Sequence, residues 1–283
     1  MRQWNRVTFR VGCAVAVAAV LALSWQYARP VSGQAQSGVT QRNRPAYRAP
    51  RTPDGKPDLN GIWQAVSAAH WDLLDHAAKA GPVVQMGAIG AIQGGLGIVE
   101  GGEIPYQPWA AKKQKENAAD WLKLDPVVKC YMPGIPRATY MPYPFQIVQT
   151  PSHVLFAYEF ASASRTVYMG GKDESPADTW MGWSNGRWEG ETLVINVNSF
   201  NDQTWFDHAG NFHSEALKVE ERYTALGPDH LMYEATIDDP KVFTRPWKLR
   251  VPLYRRVEAN AQLLEFKCVE FVEELMYGHL RKK

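Results

Sequence analysis

The second half of the chain is a succession of short segments in which apolar and polar residues alternate, with turn signals between them. Alternation over roughly 4–8 residues is typical of half-buried strands, and regularly spaced strands of this kind indicate an all-β sandwich or barrel. The pattern therefore predicts an all-β, mainly antiparallel domain. We expect its strands at 145–150, 153–160, 165–170, 179–184, 187–198, 217–224, 231–237, 243–255 and 262–271.

The strongest turn signal in this series is Asn185-Gly186, which stands between two segments rich in aromatic residues. Asn-Gly favours a two-residue hairpin turn, since both central residues of that turn need a positive φ. The sequence Gly182-Trp-Ser184-Asn-Gly186 also matches the nucleophile elbow of serine hydrolases, but the elbow needs a helix after its serine. A strand follows here, so we expect Ser184 to lie beside a hairpin turn in a structural role.

The segment before these strands differs in composition. A short strand is expected at 59–64, and residues 70–80 and 108–124 have helical composition, with Pro126 placed to end the second helix. The glycine-rich run between the two helices lacks the spacing of a dinucleotide-binding or phosphate-binding loop. We interpret the helices and the glycine-rich run as a cap over one end of the β domain.

The first residues of the chain have the features of a secretory signal peptide. Arginines at positions 2, 6 and 10 precede an apolar run from Val11 to Trp25, and Gly33 and Ala35 supply the small residues of a cleavage site. The apolar run is shorter than the roughly 20 residues that span a bilayer. We expect a cleaved signal at 1–35, a disordered linker at 36–51, and a single domain at 52–283, without a stable membrane span, in the periplasm or outside the cell.

Charge and cysteine content narrow the class of protein further. The formal net charge is +2 with both signs interspersed, which gives no basic footprint for nucleic acid. Cys130 and Cys268 remain after signal removal, and two cysteines in an exported protein are expected to form a disulfide. Two buried free thiols are the alternative.

Several motifs carry a resemblance to known proteins. The segments PDGKPDLNGIW, CYMPGIPR, GRWEGETLVINVNSF and EFKCVEF resemble a family of exported bacterial proteins of unassigned function. That resemblance implies export and a single domain, and it supplies no catalytic residues. Gly61-Ile-Trp63 is similar to the first-strand motif of lipocalins and related calycin barrels, where the tryptophan closes one end of the barrel. A calycin-like barrel is therefore the expected fold, longer than a minimal lipocalin.

The loop before the predicted strand at 217–224 is the richest in polar and aromatic side chains, and such loops commonly carry binding sites. Two histidines and a carboxylate can hold zinc or iron. The loop offers His208 and His213 with Asp202 and Asp207 nearby, but no helix fixes the spacing of the histidines, so no metal is predicted. The candidate residues on this loop are Trp205, Asp207, His208, Asn211 and His213.

Two glutamates are expected to point into the barrel. Glu221 shares a strand face with Leu217, Val219 and Tyr223, because alternate residues of a strand face the same side. Glu270 shares the face of Leu264, Phe266 and Cys268 in the last predicted strand. A carboxylate removed from water has a raised pKa unless it is paired, and a group of that kind is a candidate general acid or base. The alternative is a buried ion pair with an inward arginine, for which the candidates are Arg137, Arg245 and Arg250.

Two functions follow from these patterns, since small barrels often enclose a ligand cavity. The first is a cofactor-independent acid–base enzyme, such as an isomerase, lyase, hydratase or hydrolase, acting on a partly apolar, aromatic or terpenoid small molecule. The second is a periplasmic carrier without catalysis. The predicted catalytic residues are Glu221, Glu270, His213 and Asp207, and the predicted ligand-binding residues are Trp205, His208, Asn211, Tyr223 and Arg137.

Overall fold

A computed structural model of the chain describes residues 47–82, 84–171, 175–267 and Gly278. Its nine strands close into one barrel in which each strand pairs with the next along the chain and the last pairs with the first. All pairs are antiparallel except β4 with β5, so the all-β prediction is confirmed. The strands are β1 Gly61–Ala65, β2 Phe145–Gln149, β3 His153–Tyr158, β4 Ser164–Met169, β5 Trp183–Glu189, β6 Thr192–Asn198, β7 Lys218–Gly227, β8 His230–Asp238 and β9 Trp247–Arg255.

The barrel interior is filled by side chains from alternate positions of these strands. In β7 and β8 buried and partly exposed residues alternate without interruption from Val219 to Ala225 and from Leu231 to Ile237. Tyr223 lies directly opposite Tyr233 in this pair. The interior is therefore a packed aromatic and aliphatic core, whose largest fully buried members include Trp63, Phe145, Phe156, Tyr223 and Tyr233.

Trp63 lies at the seam where β1 meets β9 and the barrel closes. Its side chain is 1% exposed, and its indole N–H donates to the Leu59 carbonyl at 2.9 Å. The guanidinium of Arg255 on β9 lies over the indole, 4.2 Å from the ring centroid, and donates to the Asn60 carbonyl. Trp63 is thus part of the buried packing at the strand pair that closes the barrel.

The predicted hairpin turn at Asn185-Gly186 is wrong. Both residues lie inside β5, and the chain turns instead around Gly190, which has a φ of 60°. Gly186 is required by its neighbour β4, because a Cβ atom there would lie 2.6 Å from Cγ1 of Val167. Ser184 also lies within β5, 1% exposed, and strand β6 follows it, so the strand–helix geometry of a nucleophile elbow is not formed.

The predicted helix at 108–124 is confirmed as two short helices, α1 Pro108–Ala119 and α2 Trp121–Leu124, and a third, α3, spans Arg137–Tyr140. The helix predicted at 70–80 is wrong. His76 and Lys79 form isolated β-bridges with Gly95 and Ile92 of the glycine-rich run. A Cβ at Gly94 would lie 2.7 Å from the Ala78 nitrogen, so glycine permits this close pairing. Short 3-10 turns occupy Val84–Gly90, Glu100–Gly102, Pro126–Lys129 and Phe160–Ser162.

The strand predicted at 262–271 is wrong for its described part, residues 262–267, which form no strand. Since β9 already pairs with β1, the closed barrel leaves no edge for a further strand. Leu264 is 65% exposed, and Phe266 packs on Tyr143 and Phe160 outside the barrel. Cys268, Glu270 and the helix expected from Val272 lie outside the described residues.

The predicted signal peptide and most of the predicted linker also lie outside the described residues. The last five residues of that linker, 47–51, are placed against the barrel: Ala49 is buried, and Arg51 forms an ion pair with Glu191. Within the described ranges, no helix combines the length and apolar character needed to cross a membrane.

Candidate functional site

The loop between β6 and β7 is held in place by helix α1. The side chain of Gln114 donates to the Ala209 carbonyl at 2.5 Å, and that of Asn117 donates to the Gly210 carbonyl at 3.3 Å. Gly210 has a φ of 83°, and a Cβ there would lie 2.6 Å from the backbone nitrogen of Ala118. The loop and the helix therefore approach each other backbone to backbone, which gives the predicted site a rigid support.

A groove of about 600 Å³ runs between α1 and this loop. Trp109 at its rim is 55% exposed and meets Phe212 edge to face, with the ring centroids 5.9 Å apart. Trp205 and Leu124 add apolar surface. Two basic and two acidic side chains, which are Lys112, Lys113, Glu116 and Asp202, line the remaining wall together with Asn117, His213 and Ser214.

Asp207 points away from the groove into the protein. Its carboxylate accepts hydrogen bonds from the Leu73 backbone N–H at 2.8 Å and from the Asn211 side-chain amide at 2.6 Å. Burial raises the pKa of Asp207 to about 7, although the bonds from Asn211 and Leu73 act in the opposite direction. Asp207 is fully buried, and it ties the loop to the segment around residue 73.

His208 joins a second buried network. Its Nδ1 lies 2.7 Å from Oδ2 of Asp125 and 3.1 Å from Nη2 of Arg137. Arg137 in turn forms two hydrogen bonds with Asp125, at 2.9 and 2.8 Å. The Asp125 carboxyl pKa is held well below its usual value: burial alone would raise it, but the neighbouring Arg137 guanidinium and the His208 hydrogen bond outweigh this. Burial, with the charge of Arg137, lowers the pKa of His208.

His213 lies in a different network from His208. Its Nδ1 donates to the Ser214 carbonyl at 2.9 Å, and its Nε2 is 2.6 Å from the Thr204 hydroxyl. Burial lowers the pKa of His213, so the neutral ring uses both nitrogens for structural bonds. Across the described part of the chain, no group of three or more His, Cys, Asp or Glu side chains is arranged to hold a metal ion.

Glu221 lies inside the barrel, as its position in the alternation predicted, and is 0% exposed. Its carboxylate binds Arg165 of β4, with Nη1–Oε2 at 2.5 Å and Nη2–Oε1 at 3.1 Å. The hydroxyls of Tyr233 and Tyr223 donate to Oε1 at 2.8 and 3.1 Å. A buried ion pair was the alternative to a catalytic glutamate, but its arginine is Arg165 rather than Arg137, Arg245 or Arg250.

The remaining predicted ligand-binding residues divide between surface and interior. Trp205 lines the groove, whereas Asn211 is buried and accepts a hydrogen bond from the Tyr106 hydroxyl at 2.8 Å. Tyr223 and Arg137 are fully buried in separate networks. The structure therefore does not bring the predicted residues to one centre: it divides them among the groove, the Asp125 network and the barrel interior.

Sequence reasoning missed three residues that organise these places. Arg165 and Val167 lie two positions apart on the inner face of β4. The alternation that predicted an inward Glu221 would therefore also have predicted an inward Arg165. Trp109 follows directly after the Pro108 that begins α1, and its exposure depends on tertiary packing. Asp125 precedes Pro126 and accepts a hydrogen bond from the Val127 N–H at 2.9 Å, which is an N-terminal capping pattern readable from the sequence.

Comparisons with protein-family models, with curated proteins and with solved structures returned no match to this chain. The fold and the groove nevertheless define a class: a closed nine-stranded β-barrel, consistent with a lipocalin-like fold, with a ligand-sized groove beside it. Such a barrel can bind small molecules.

Proposed function

We propose that this protein is exported and binds a small, partly apolar molecule in the groove between α1 and the β6–β7 loop. The observation that carries the proposal is the pair Trp109 and Phe212, which present aromatic surface to a groove of about 600 Å³. Ligand sites in proteins commonly have volumes of about 300–1,000 Å³ and combine aromatic walls with a few polar groups.

The polar wall of the groove limits the chemistry of the ligand. Lys112 and Lys113 are balanced by Glu116 and Asp202, so the groove has no excess of one charge. A ligand with one aromatic or terpenoid face and neutral or zwitterionic polar groups matches these walls better than a multiply charged ion does. This fits the partly apolar small molecule expected from the sequence.

Catalysis by the predicted carboxylates is not part of this proposal. Glu221 is fully buried, and Arg165, Tyr223 and Tyr233 occupy its oxygens. A general base must come within hydrogen-bond reach of the proton that it removes. We assign Glu221 a structural role, and Glu270 lies outside the described residues.

The proposal is tested by ligand identification followed by substitution. Protein purified gently from its native compartment is analysed by native mass spectrometry, and any released compound is titrated back by calorimetry. Trp109→Ala and Phe212→Ala should weaken its binding by about 10- to 100-fold each, since truncating an aromatic contact to a ligand commonly costs about 1–3 kcal/mol.

Leu226→Ala is the matched control, because Leu226 is an exposed apolar residue, 52% accessible, at the end of β7 and outside the groove. This variant should bind as the unmodified protein does. If Trp109→Ala and Phe212→Ala bind the compound with unchanged affinity, the groove is not the binding site.

The exported location rests on the sequence of the first 35 residues. We expect the mature chain to begin near Gln36. N-terminal sequencing of protein recovered from the periplasm or the medium checks this, and recovery of a chain beginning at Met1 or Arg2 would contradict signal cleavage.

A further inference from the structure

We propose that His208, oriented by Asp125, is the general base of a catalytic site that accepts neutral, planar aromatic substrates carrying an acidic C–H proton. This site is separate from the groove, and the proposal does not depend on ligand binding there.

The orientation of His208 follows from its two contacts at Nδ1. Arg137 is always a donor and Asp125 an acceptor, so Nδ1 cannot serve both as hydrogen-bond partners at once. The Asp125 contact, at 2.7 Å, is the shorter one, and Asp125 is ionised beside Arg137. Nδ1–H therefore donates to Asp125, which leaves the lone pair on Nε2. A carboxylate that fixes the tautomer of a histidine in this way is the arrangement found in catalytic Asp–His pairs.

Aromatic rings surround the imidazole on several sides. The rings of Trp71 and Trp121 each lie 4.7 Å from the His208 ring, centroid to centroid, at 46° and 53°. His70 approaches edge on at 6.0 Å. The His208 side chain keeps 12% of its surface exposed, whereas Asp125 and Arg137 are fully covered. The imidazole thus keeps a small exposed surface beside two indoles, and we expect a flat, neutral substrate to meet it there.

The charges around the site favour a neutral substrate and a neutral base. Asp125 and Arg137 compensate each other, and burial lowers the pKa of His70 to about 3, so this ring carries no charge at neutral pH. Burial and Arg137 also lower the pKa of His208. The imidazole is thus mainly unprotonated at pH 7 and able to accept a proton, and the two charges in contact with it, Asp125 and Arg137, compensate each other.

The reaction can be written for 5-nitrobenzisoxazole, a neutral planar carbon acid that serves as the probe. Nε2 of His208 takes the proton from C3, the electron pair of the C–H bond forms the nitrile, and the N–O bond breaks. The oxygen leaves as the phenolate of 2-cyano-4-nitrophenol, whose yellow colour reports the rate. Asp125 stabilises the imidazolium, which returns its proton to water, so no oxidant or cofactor is needed.

The experiment measures this elimination with the full mature protein, with His208→Gln and with His153→Gln. His153 is an exposed histidine on β3 and controls for surface imidazoles. The unmodified protein and His153→Gln should react alike and faster than an equal concentration of free imidazole. His208→Gln should lose about 10²–10⁴-fold, the usual contribution of a positioned general base, while its far-UV circular dichroism and melting temperature stay close to those of the unmodified protein.

Two further measurements separate catalysis from a structural role. The rate should rise through an apparent pKa below 6.5 and then level off, because burial and the charge of Arg137 lower the pKa of His208 more than Asp125 raises it. His70 is the other titrating ring that faces His208. Trp121→Leu should keep this pH profile and raise KM about three- to tenfold through the lost aromatic contact. If His208→Gln does not fold, the pH profile of the unmodified protein and the KM of Trp121→Leu test the proposal instead. A rate no higher than that of free imidazole, or an unchanged rate in folded His208→Gln, overturns the proposal.

Discussion

Arg165 and Glu221 face each other inside the barrel from β4 and β7, with Nη1 of the arginine 2.5 Å from Oε2 of the glutamate. Both side chains are at most 2% exposed. The guanidinium also lies over the Phe156 ring, 4.5 Å from its centroid. Inside the barrel, two hydrogen bonds from Arg165 and two from tyrosine hydroxyls take the place of water around the Glu221 carboxylate. Each buried charge is therefore stabilised mainly by the other.

Arg165→Met should destabilise the fold by about 3–5 kcal/mol, because it leaves the Glu221 carboxylate buried without its cation. The double substitution Arg165→Met with Glu221→Leu should recover much of this loss, since it removes both charges. Urea unfolding measures both changes. Arg250→Ala, which affects an exposed pair with Glu234 at 3.8 Å, is the control and should change stability little. If the double substitution is as unstable as the single one, the pair does not act as a unit.

The outcome for Glu221 shows what alternation can and cannot predict. The period of two in β7 placed Glu221 inward correctly, because side-chain direction is a local property of a strand. Its partner could not be found in the same way, since Arg165 lies 56 positions earlier and meets it only through barrel closure. The prediction of a turn at Asn185-Gly186 was wrong for a related reason. Gly186 is needed for close packing against β4, and a contact between distant segments cannot be predicted from a local turn motif.

Gly186→Ala should destabilise the barrel, because the new Cβ would lie 2.6 Å from Cγ1 of Val167 and 2.7 Å from Sδ of Met169. Overpacking of this kind commonly costs about 1–3 kcal/mol. Gly190→Asn is the matched control: it lies in the turn that follows β5, a Cβ there would meet nothing within 4 Å beyond its chain neighbours, and asparagine tolerates a positive φ. Thermal unfolding should show a clear loss for the first and a small one for the second. Equal melting temperatures would contradict the close packing of β4 on β5.

Cys130 and Cys268 should form a disulfide in the exported protein. Cys130 ends the Pro126–Lys129 turn in a left-handed conformation, with a φ of 63°, and Cys268 lies outside the described residues, so the pairing stays a prediction. A bridge over so long a loop is expected to stabilise the fold by about 4–5 kcal/mol at most. Thiol titration of denatured, unreduced protein from its native compartment checks this. Two free thiols would exclude the bond.

The candidate site was predictable in part. The β6–β7 loop was found because its polar and aromatic residues stand between two strand patterns, and Trp205 does line a groove. Its neighbours Asp207 and His208 turn to the other side, toward Leu73 and Asp125. The direction of a side chain in an irregular loop depends on which element packs against the loop. Here that element is α1, and its contact with Gly210 is a tertiary contact that the local sequence does not predict.

Asp207 should make the stability of the protein depend on pH near neutrality. Its pKa is about 7 in the folded state, against 3.8 for an ordinary aspartate, chiefly because it is buried. Between these values the folded state holds a proton that the unfolded state has released. Raising the pH therefore favours unfolding, by up to about 1.4 kcal/mol per pH unit, and this dependence ends above the folded pKa.

Asp207→Asn should remove that dependence, since an amide does not titrate. Burial also lowers the pKa of His70 and His213, which makes the stability of the folded protein fall as the pH drops below 6.5. Both proteins share this contribution, so subtracting their unfolding free energies removes it. The unfolding free energy of the unmodified protein minus that of Asp207→Asn should fall steadily from pH 4.5 to 7 and then level off. Urea unfolding at half-unit pH intervals measures it. A flat difference for Asp207→Asn would mean that Asp207 is ionised in the folded protein throughout this range.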